Sequence, residues 1–246
     1  MQNLNDLKIV VDYGDVNPSL QDFGISSVNV DVQVYFKNIQ SHLIRHIRAA
    51  DIVVGCVAWL TCPSILQALS KKEGVSIIVQ KEDWLRPDVN DRGNWKKNRR
   101  ARYDKLPAML SRYDAGLKGT VLSMMSYLGD PSIEAVRCVG NYNSNKTNPA
   151  FPRMHNKFIV LCKQTSHILV QTENETSEYR NYEPYEVWTG SFNFTKNAGL
   201  SFENAVVLKD MTIARAYFQE YAQIAALSEP LDWETEWVQP EWRVGS

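Results

Sequence analysis

A histidine and a lysine stand two positions apart at the start of an apolar run, in the segment MHNKFIVLC. Alternate residues of a β-strand point to the same face of a sheet, so His155 and Lys157 are predicted to lie together at one end of a buried strand. An imidazole can attack phosphorus without a metal ion, and an ammonium group can stabilise the charge of a phosphate. The pair is therefore a candidate for phosphoryl chemistry.

A second polar set follows some thirty positions later, in the segment VWTGSFNFT. Ser191 and Asn193 come directly after Gly190 and are expected to share one face where a strand becomes a turn. Glu203 is expected in the next strand, within SFENAVVL. Serine and asparagine are also ordinary turn residues, so this set indicates chemistry only in combination with the histidine and the lysine.

Taken in order, these segments resemble the phospholipase D superfamily, whose signature is HxK with a later aspartate, followed by GSxN. The stretch from VYFKNIQSH to CPSILQAL resembles the opening of such domains, so the resemblance covers most of residues 33–226. It implies an α/β fold, namely an α-β-α sandwich with a central mixed sheet and one domain per chain. The chain has one HxK motif, and it therefore looks like a single-motif, nuclease-like member.

The resemblance also implies roles for the site residues. His155 would be the nucleophile, while Lys157, Ser191 and Asn193 would hold the phosphate oxygens. Glu203 could accept a hydrogen bond from the imidazole and fix its tautomer. The reaction needs a second group to protonate the leaving oxygen, and the simplest source is a homodimer in which two copies of His155 meet across a two-fold axis.

Two departures from the superfamily pattern leave other functions open. Cys162 stands where the motif has its aspartate, and the segment 163–186 lengthens the connection to GSxN. The leading interpretation is a metal-independent endonuclease of low sequence specificity that forms a covalent phosphohistidine. The alternatives are a phospholipase or phosphatidyltransferase, and a degenerate domain that binds nucleic acid or a partner without turnover.

A basic stretch offers a site for such a substrate, since residues 81–105 hold nine basic and five acidic residues, interleaved with Trp84, Trp95 and Tyr103. It is either a solvated loop or an element that grips phosphates and stacks on bases. The predicted nucleic-acid ligands are Lys96, Lys97, Arg99, Arg100 and Arg102. Together with the size of the chain and its single motif, they favour a nucleic-acid substrate. DNA is expected rather than RNA.

The hydrophobic pattern predicts alternating helices and strands. Helices are expected at 34–50, after Pro63, at 106–117 and at 211–227, and strands at 52–60, 74–80, 133–139 and around the two motif segments. The polar stretch 172–186 is expected to be an exposed excursion between two strands. We expect one domain over 1–246, with a core at about 33–226, an N-terminal extension at 1–32 and an acidic, tryptophan-rich tail at 229–246.

Composition limits which partners and which cellular compartment can be expected for this protein. The 246 residues carry a net charge of −1, so any polyanion site must be local. The four cysteines form no CxxC pair and are expected to be reduced, and the acidic N-terminus does not resemble a signal peptide, which favours the cytoplasm. The longest apolar run, 52–60, is too short to cross a membrane. His42 and His46 have helical metal-ligand spacing but lack further ligands, so no metal or cofactor is expected.

Overall fold

A computed structural model describes residues 4–9, 19–86, 94–110, 126–127, 133–142, 152–171 and 176–239. Within these ranges it contains eight strands, four α-helices and three short 3-10 turns. The strands are β1 Asp31–Tyr35, β2 Ile52–Val57, β3 Gly74–Gln80, β4 Ser126–Tyr127, β5 Val136–Val139, β6 Lys157–Gln171, β7 Thr176–Gly190 and β8 Ala205–Lys209. The helices are α1 Ile39–Ala49, α2 Pro63–Leu69, α3 Trp95–Tyr103 and α4 Met211–Ala225.

All eight strands belong to one mixed sheet, in the order β1-β8-β7-β6-β2-β3-β5, with β4 paired to β7. β2, β3 and β5 are mutually parallel, whereas β6 runs antiparallel to both β2 and β7. As a result, β2, β3, β5 and β7 end at the same edge of the sheet at which β6 and β8 begin. We call this edge the site edge, because both predicted motif segments lie there.

Helices cover both faces of this sheet. Leu43 and Ile47 of α1 and Ile65 of α2 are fully buried in one apolar cluster, while Phe218 and Tyr221 of α4 are buried in a second cluster. Residues next to each other along β6 point to opposite clusters, as Phe158 and Ile159 do. The expected α-β-α sandwich with a central mixed sheet is therefore confirmed.

Two helix predictions differ from the structure. The first helix begins at Ile39 and not at residue 34, because Val34 and Tyr35 pair with β8 as part of β1. Residues 106–110 are not helical: the carbonyl of Pro107 accepts from the amide of Val75, and Leu110 forms a bridge with Ile133. The rest of that predicted helix, 111–117, lies outside the described residues.

The excursion predicted at 172–186 is largely regular structure. β6 and β7 form one long hairpin, and within the described residues their pairing reaches from Ile159↔Trp188 to Gln171↔Thr176. The prediction of an exposed excursion was therefore wrong from Thr176 onward, where β7 begins. Long-range pairing with β6 decides this, since the polar composition of the stretch by itself resembles a loop.

The segment after α4 packs onto the sheet edge beside β5. Backbone hydrogen bonds join Cys138 and Glu229 in both directions, and Leu231, Trp233 and Val238 are buried. At the other terminus, Leu20 packs against the cluster beneath α4. No helix in the described ranges is both long and apolar enough to cross a membrane.

Candidate active site

The structure brings His155 and Lys157 together at the site edge, where β6 begins. Lys157 Nζ lies 3.2 Å from Nδ1 and 3.3 Å from Nε2 of His155, and it donates to the His155 carbonyl at 2.9 Å. His155 is exposed, and Lys157 is partly buried. Two groups that could attack and bind a phosphate therefore stand side by side and open to solvent.

The electrostatics of the pair favour the neutral, nucleophilic form of His155. Partial burial lowers the pKa of His155, and the positive charges of Lys157 and Arg153 lower it further. Burial also lowers the pKa of Lys157, while the carboxylate of Glu203 opposes that shift. A lowered histidine pKa keeps the imidazole neutral, which is the nucleophilic form.

The second motif segment ends β7 and is held in place by its apolar residues. Phe192 and Phe194 are buried, and the Phe194 carbonyl accepts hydrogen bonds from the amides of Thr61 and Cys62, each at 2.9 Å. The alternation leaves Ser191 exposed on the opposite side of this segment, with Asn193 partly exposed. The position of the polar pair thus follows from the burial of the two phenylalanines.

Gly190 is required at the turn that leads into this segment. Its φ is 140°, and a β-carbon there would lie 2.4 Å from the Asn204 carbonyl oxygen and 2.8 Å from Cα of Ala205. Only glycine tolerates both the conformation and the close approach of the neighbouring strand. The motif glycine is therefore explained by the backbone geometry that presents Ser191.

Glu203 acts on Ser191 and not on His155. The Ser191 hydroxyl donates a hydrogen bond to the Glu203 carboxylate and accepts one from the amide of Asn204 at 3.0 Å. The expected hydrogen bond between Glu203 and the imidazole is therefore not formed, and Glu203 lies just before β8 and not within it. Its carboxylate instead orients Ser191 and, through its charge, stabilises the charged form of Lys157.

The side chain of Asn193 carries an oxygen without a hydrogen-bond partner among the residues that the structure describes. This oxygen, Oδ1, is buried. A buried polar atom without a partner costs free energy, which an incoming ligand can recover. Because Oδ1 only accepts, a phosphate oxygen could be bound at this position only by the side-chain N–H₂ of Asn193.

Three residues near His155 were missed by sequence reasoning. Trp59 meets the His155 ring edge-on, with the centroids 6.1 Å apart, and its indole N–H donates to Glu82 at 3.1 Å. Arg153 reaches the same Glu82 carboxylate at 3.8 Å. Trp59 and Glu82 each lie two residues beyond the end of a parallel strand, and the rule that such strand ends meet at one edge could have identified them.

The remaining histidines of the described ranges lie away from this site. His46 is buried, with Nδ1 2.5 Å from the Glu186 carboxylate, and His42 stacks on Tyr35. His167 lies in the long hairpin, near the far end of β6. Within the described ranges, no group of three or more histidine, cysteine or acidic residues could hold a metal ion.

The basic residues of α3 divide into two groups. Arg100 donates to the carbonyl of Leu85 at 3.0 Å, and Arg99 lies against the rings of Trp84 and Trp95. Lys97 and Arg102 are exposed, and Lys96 lies over Trp95. Arg99 and Arg100, two of the five predicted ligands, thus also hold the 3-10 turn Asp83–Leu85 against α3. Residues 95–103 form a regular helix and not the solvated loop that was one of the two expectations.

Cys162 occupies a buried position in β6, where burial raises the pKa of its thiol to about 12. An aspartate at this position would place a carboxylate among apolar side chains of the cluster under α4. We expect Cys162→Asp to destabilise the protein by about 3–5 kcal/mol, because the charge would be buried without a partner. Urea denaturation of Cys162→Asp beside Cys162→Ala, which should lose about 1 kcal/mol, measures this. Equal stability of the two variants would contradict it.

Comparison with known proteins gives distant similarities. No family model matches the chain. An uncharacterized protein of Acanthamoeba polyphaga mimivirus is 28% identical over 213 residues, which are 83% of this chain and 68% of that protein. Among solved structures, Nuc from Salmonella typhimurium, a phospholipase D family member, covers 82% of this chain and 97% of its own, at 19% identity and a TM-score of 0.43. NucT from Helicobacter pylori covers 80% and 98%, at 15% identity and a TM-score of 0.46.

Proposed function

We propose that this protein is a metal-independent phosphodiesterase that cleaves nucleic acid as an endonuclease of low sequence specificity. The observation that carries the proposal is the contact between His155 and Lys157 at an open sheet edge. The Glu203 carboxylate, which orients the Ser191 hydroxyl, also acts on Lys157 through its charge. A nucleophile with a cation beside it is what a phosphodiester transfer requires, and the side-chain N–H₂ of Asn193 can donate to a phosphate oxygen.

The reaction would run in two steps through His155. The neutral imidazole attacks phosphorus, and the new nitrogen–phosphorus bond forms as the bond to the leaving oxygen breaks, while a second group gives that oxygen a proton. Water then attacks the phosphohistidine, passes a proton to the same second group and releases the imidazole. The Lys157 ammonium group and the side-chain N–H₂ of Asn193 stabilise the charge on the phosphate oxygens in both steps, and Ser191 joins them when its hydroxyl turns from Glu203 to the phosphate.

A nucleic acid fits the charge distribution at this edge. The nine residues of α3 hold five basic residues and no acidic one, in a chain whose net charge is −1. A local positive field of this kind attracts a phosphate backbone. DNA is our preferred substrate over RNA, and the four free, buried cysteines support a reducing, cytoplasmic compartment.

A second copy of the chain is our proposed source of the acid. His42 and His46 are engaged with Tyr35 and Glu186, and His167 lies in the hairpin, so none of the three adjoins His155. Leu200 and Phe202 are almost fully exposed between the second motif segment and β8. Exposed apolar side chains beside an incomplete site support an isologous dimer in which two His155 residues meet.

Mixed dimers test the shared site. Wild-type protein and His155→Ala are unfolded and refolded together at a one-to-one ratio, and cleavage is compared with wild type refolded alone at the same total concentration. With random pairing, about a quarter of the dimers retain both histidines, so about a quarter of the activity should remain. A value near one half would mean that each chain carries a complete site.

The pH dependence tests the protonation state of the nucleophile. Because the pKa of His155 is lowered, its neutral form persists to lower pH than that of an ordinary histidine. The midpoint of the acidic limb in the pH profile of kcat/KM should therefore lie below the ordinary histidine pKa of about 6.5. Arg153→Gln removes one of the charges that lower this pKa, so it should move the limb to higher pH. A limb that stays in place in Arg153→Gln would contradict this electrostatic assignment.

Two alternatives have distinct outcomes in the same assays. A phospholipase or phosphatidyltransferase would hydrolyse phosphatidylcholine vesicles and leave DNA intact. A binding domain without turnover would bind nucleic acid but yield no phosphohistidine when the reaction is quenched in denaturant. A phosphoryl group trapped on His155 contradicts the binding domain, and cleavage of DNA with the vesicles left intact contradicts the lipid enzyme.

A further inference from the structure

An aromatic and basic cluster lies at the start of α3, formed by Trp84, Trp95 and Arg99. The two indole rings are 6.2 Å apart and tilted by 39°. The guanidinium carbon of Arg99 lies 4.7 Å from the Trp84 ring centre and 4.9 Å from that of Trp95. The rings and the cation therefore form one continuous platform, which we call the tryptophan platform.

This platform is open to solvent and lies in a positive field. Trp95 leaves 43% of its surface exposed, although it is the kind of residue that proteins largely bury. Lys97, Arg102 and Lys105 are exposed around the same helix, and they have no ion-pair partner in the part of the chain that the structure describes. Such uncompensated charge next to an exposed ring favours a ligand that is both anionic and aromatic.

The platform also lies on the same edge as His155. Trp84 follows Glu82 by two residues, and Glu82 accepts from the indole of Trp59, whose ring meets His155. Tyr103, at the other end of α3, anchors the helix to this edge, because its hydroxyl donates to the carbonyl of Leu60 at 2.5 Å. A nucleic-acid strand whose phosphate reached His155 could thus extend over the platform within a few nucleotides.

We propose that the tryptophan platform stacks an unpaired base, so that the preferred substrate is a single-stranded nucleic acid. This inference rests on the proposed nuclease function and adds the strandedness of its substrate. Every base has a π-face, so stacking on Trp95 does not require a particular sequence. In a duplex those faces are covered by neighbouring base pairs, and an exposed indole gains nothing from them.

The test measures binding in a background that cannot cleave. Full-length His155→Ala is titrated by fluorescence anisotropy with three probes: a labelled oligodeoxythymidine of about 20 nucleotides, its abasic counterpart and a duplex of the same length. Trp95→Leu should weaken binding of the single strand by about 5- to 100-fold, which is the effect of losing one stacked base. It should change duplex and abasic affinity by less than twofold, and Trp95→Phe, which keeps an aromatic plane, should retain most of the affinity.

The outcomes separate this inference from the proposed function. Tight binding of the single strand that Trp95→Leu leaves unchanged overturns the platform and leaves the nuclease proposal standing. Equal weakening of the normal and abasic strands also overturns it, because the residue would then act on the backbone or on the structure of α3. If none of the three probes binds, the proposed function itself is contradicted. Because Trp95 is exposed, circular dichroism of Trp95→Leu should match that of the parent.

Discussion

Replacing His155 with alanine should reduce phosphodiester cleavage to the background rate while the protein remains folded. His155 is exposed at the site edge and its ring serves no apolar cluster, so its loss removes the nucleophile and little packing. Lys157→Ala should lower the rate by about 10²- to 10³-fold, which is the usual effect of removing one group that stabilises transition-state charge. Cleavage of plasmid and single-stranded DNA in EDTA, together with circular dichroism, measures both variants.

His167→Ala is the matched control for this experiment, because His167 lies in the long hairpin near the far end of β6. It should cleave at the wild-type rate. Wild-type cleavage by folded His155→Ala would contradict the mechanism, as would a strict requirement for Mg²⁺ after full chelation. If the wild-type protein cleaves in EDTA and His155→Ala does not, imidazole chemistry without a metal is supported.

A large loss of stability is also expected at Lys81, which is completely buried directly after β3. Its ammonium group lies 2.6 Å from the Glu229 carboxylate and donates to the carbonyls of Thr235 at 3.0 Å and Trp237 at 2.7 Å. Lys81→Ala leaves Glu229 buried without its partner and also releases these carbonyls. The free energy of unfolding should fall by about 3–5 kcal/mol, measured by urea denaturation.

Lys209→Ala provides the comparison, because Lys209 is exposed and lies 3.9 Å from Glu186 and 4.0 Å from Asp31. The free energy of unfolding of Lys209→Ala should be lower than that of the wild type by less than about 1 kcal/mol. The double variant Lys81→Met, Glu229→Gln should recover part of the lost stability, because it removes the unpaired buried charge. Similar stability of Lys81→Ala and Lys209→Ala would show that the segment after α4 does not hold Lys81 as described.

The local order of residues was enough to predict how the motif segments are presented. In GSFNFT, burial of Phe192 and Phe194 leaves Ser191 and Asn193 on the other side, and alternation along a strand needs no distant contact to be recognised. The same holds for His155 and Lys157 at the start of β6. The sandwich also follows from the sequence, because a helical apolar stripe or an apolar strand must be covered by another element.

Element boundaries depended on partners far along the chain. Val34 and Tyr35 were assigned to a helix because apolar residues continue the helical spacing of α1, but their backbone pairs with β8, about 170 residues later. The polar residues of the β6–β7 hairpin were likewise misassigned from local sequence, because their composition resembles a loop while their backbone pairs within the sheet. Hydrogen bonding between distant strands outweighs local propensity, and no short window of sequence contains that information.

By itself, the sequence determined which residues could do phosphoryl chemistry and that they would lie at a strand end. Only the tertiary structure decided their partners: Glu203 holds Ser191 and not His155, and Trp59 lies against the imidazole. Lys81 is another residue whose surroundings the local sequence does not reveal. It begins the basic stretch 81–105, yet it is buried and its ammonium group donates to the carbonyls of Thr235 and Trp237, more than 150 residues away. Spacing along the chain encodes which face a side chain takes, whereas hydrogen bonds and burial depend on which segments meet in space.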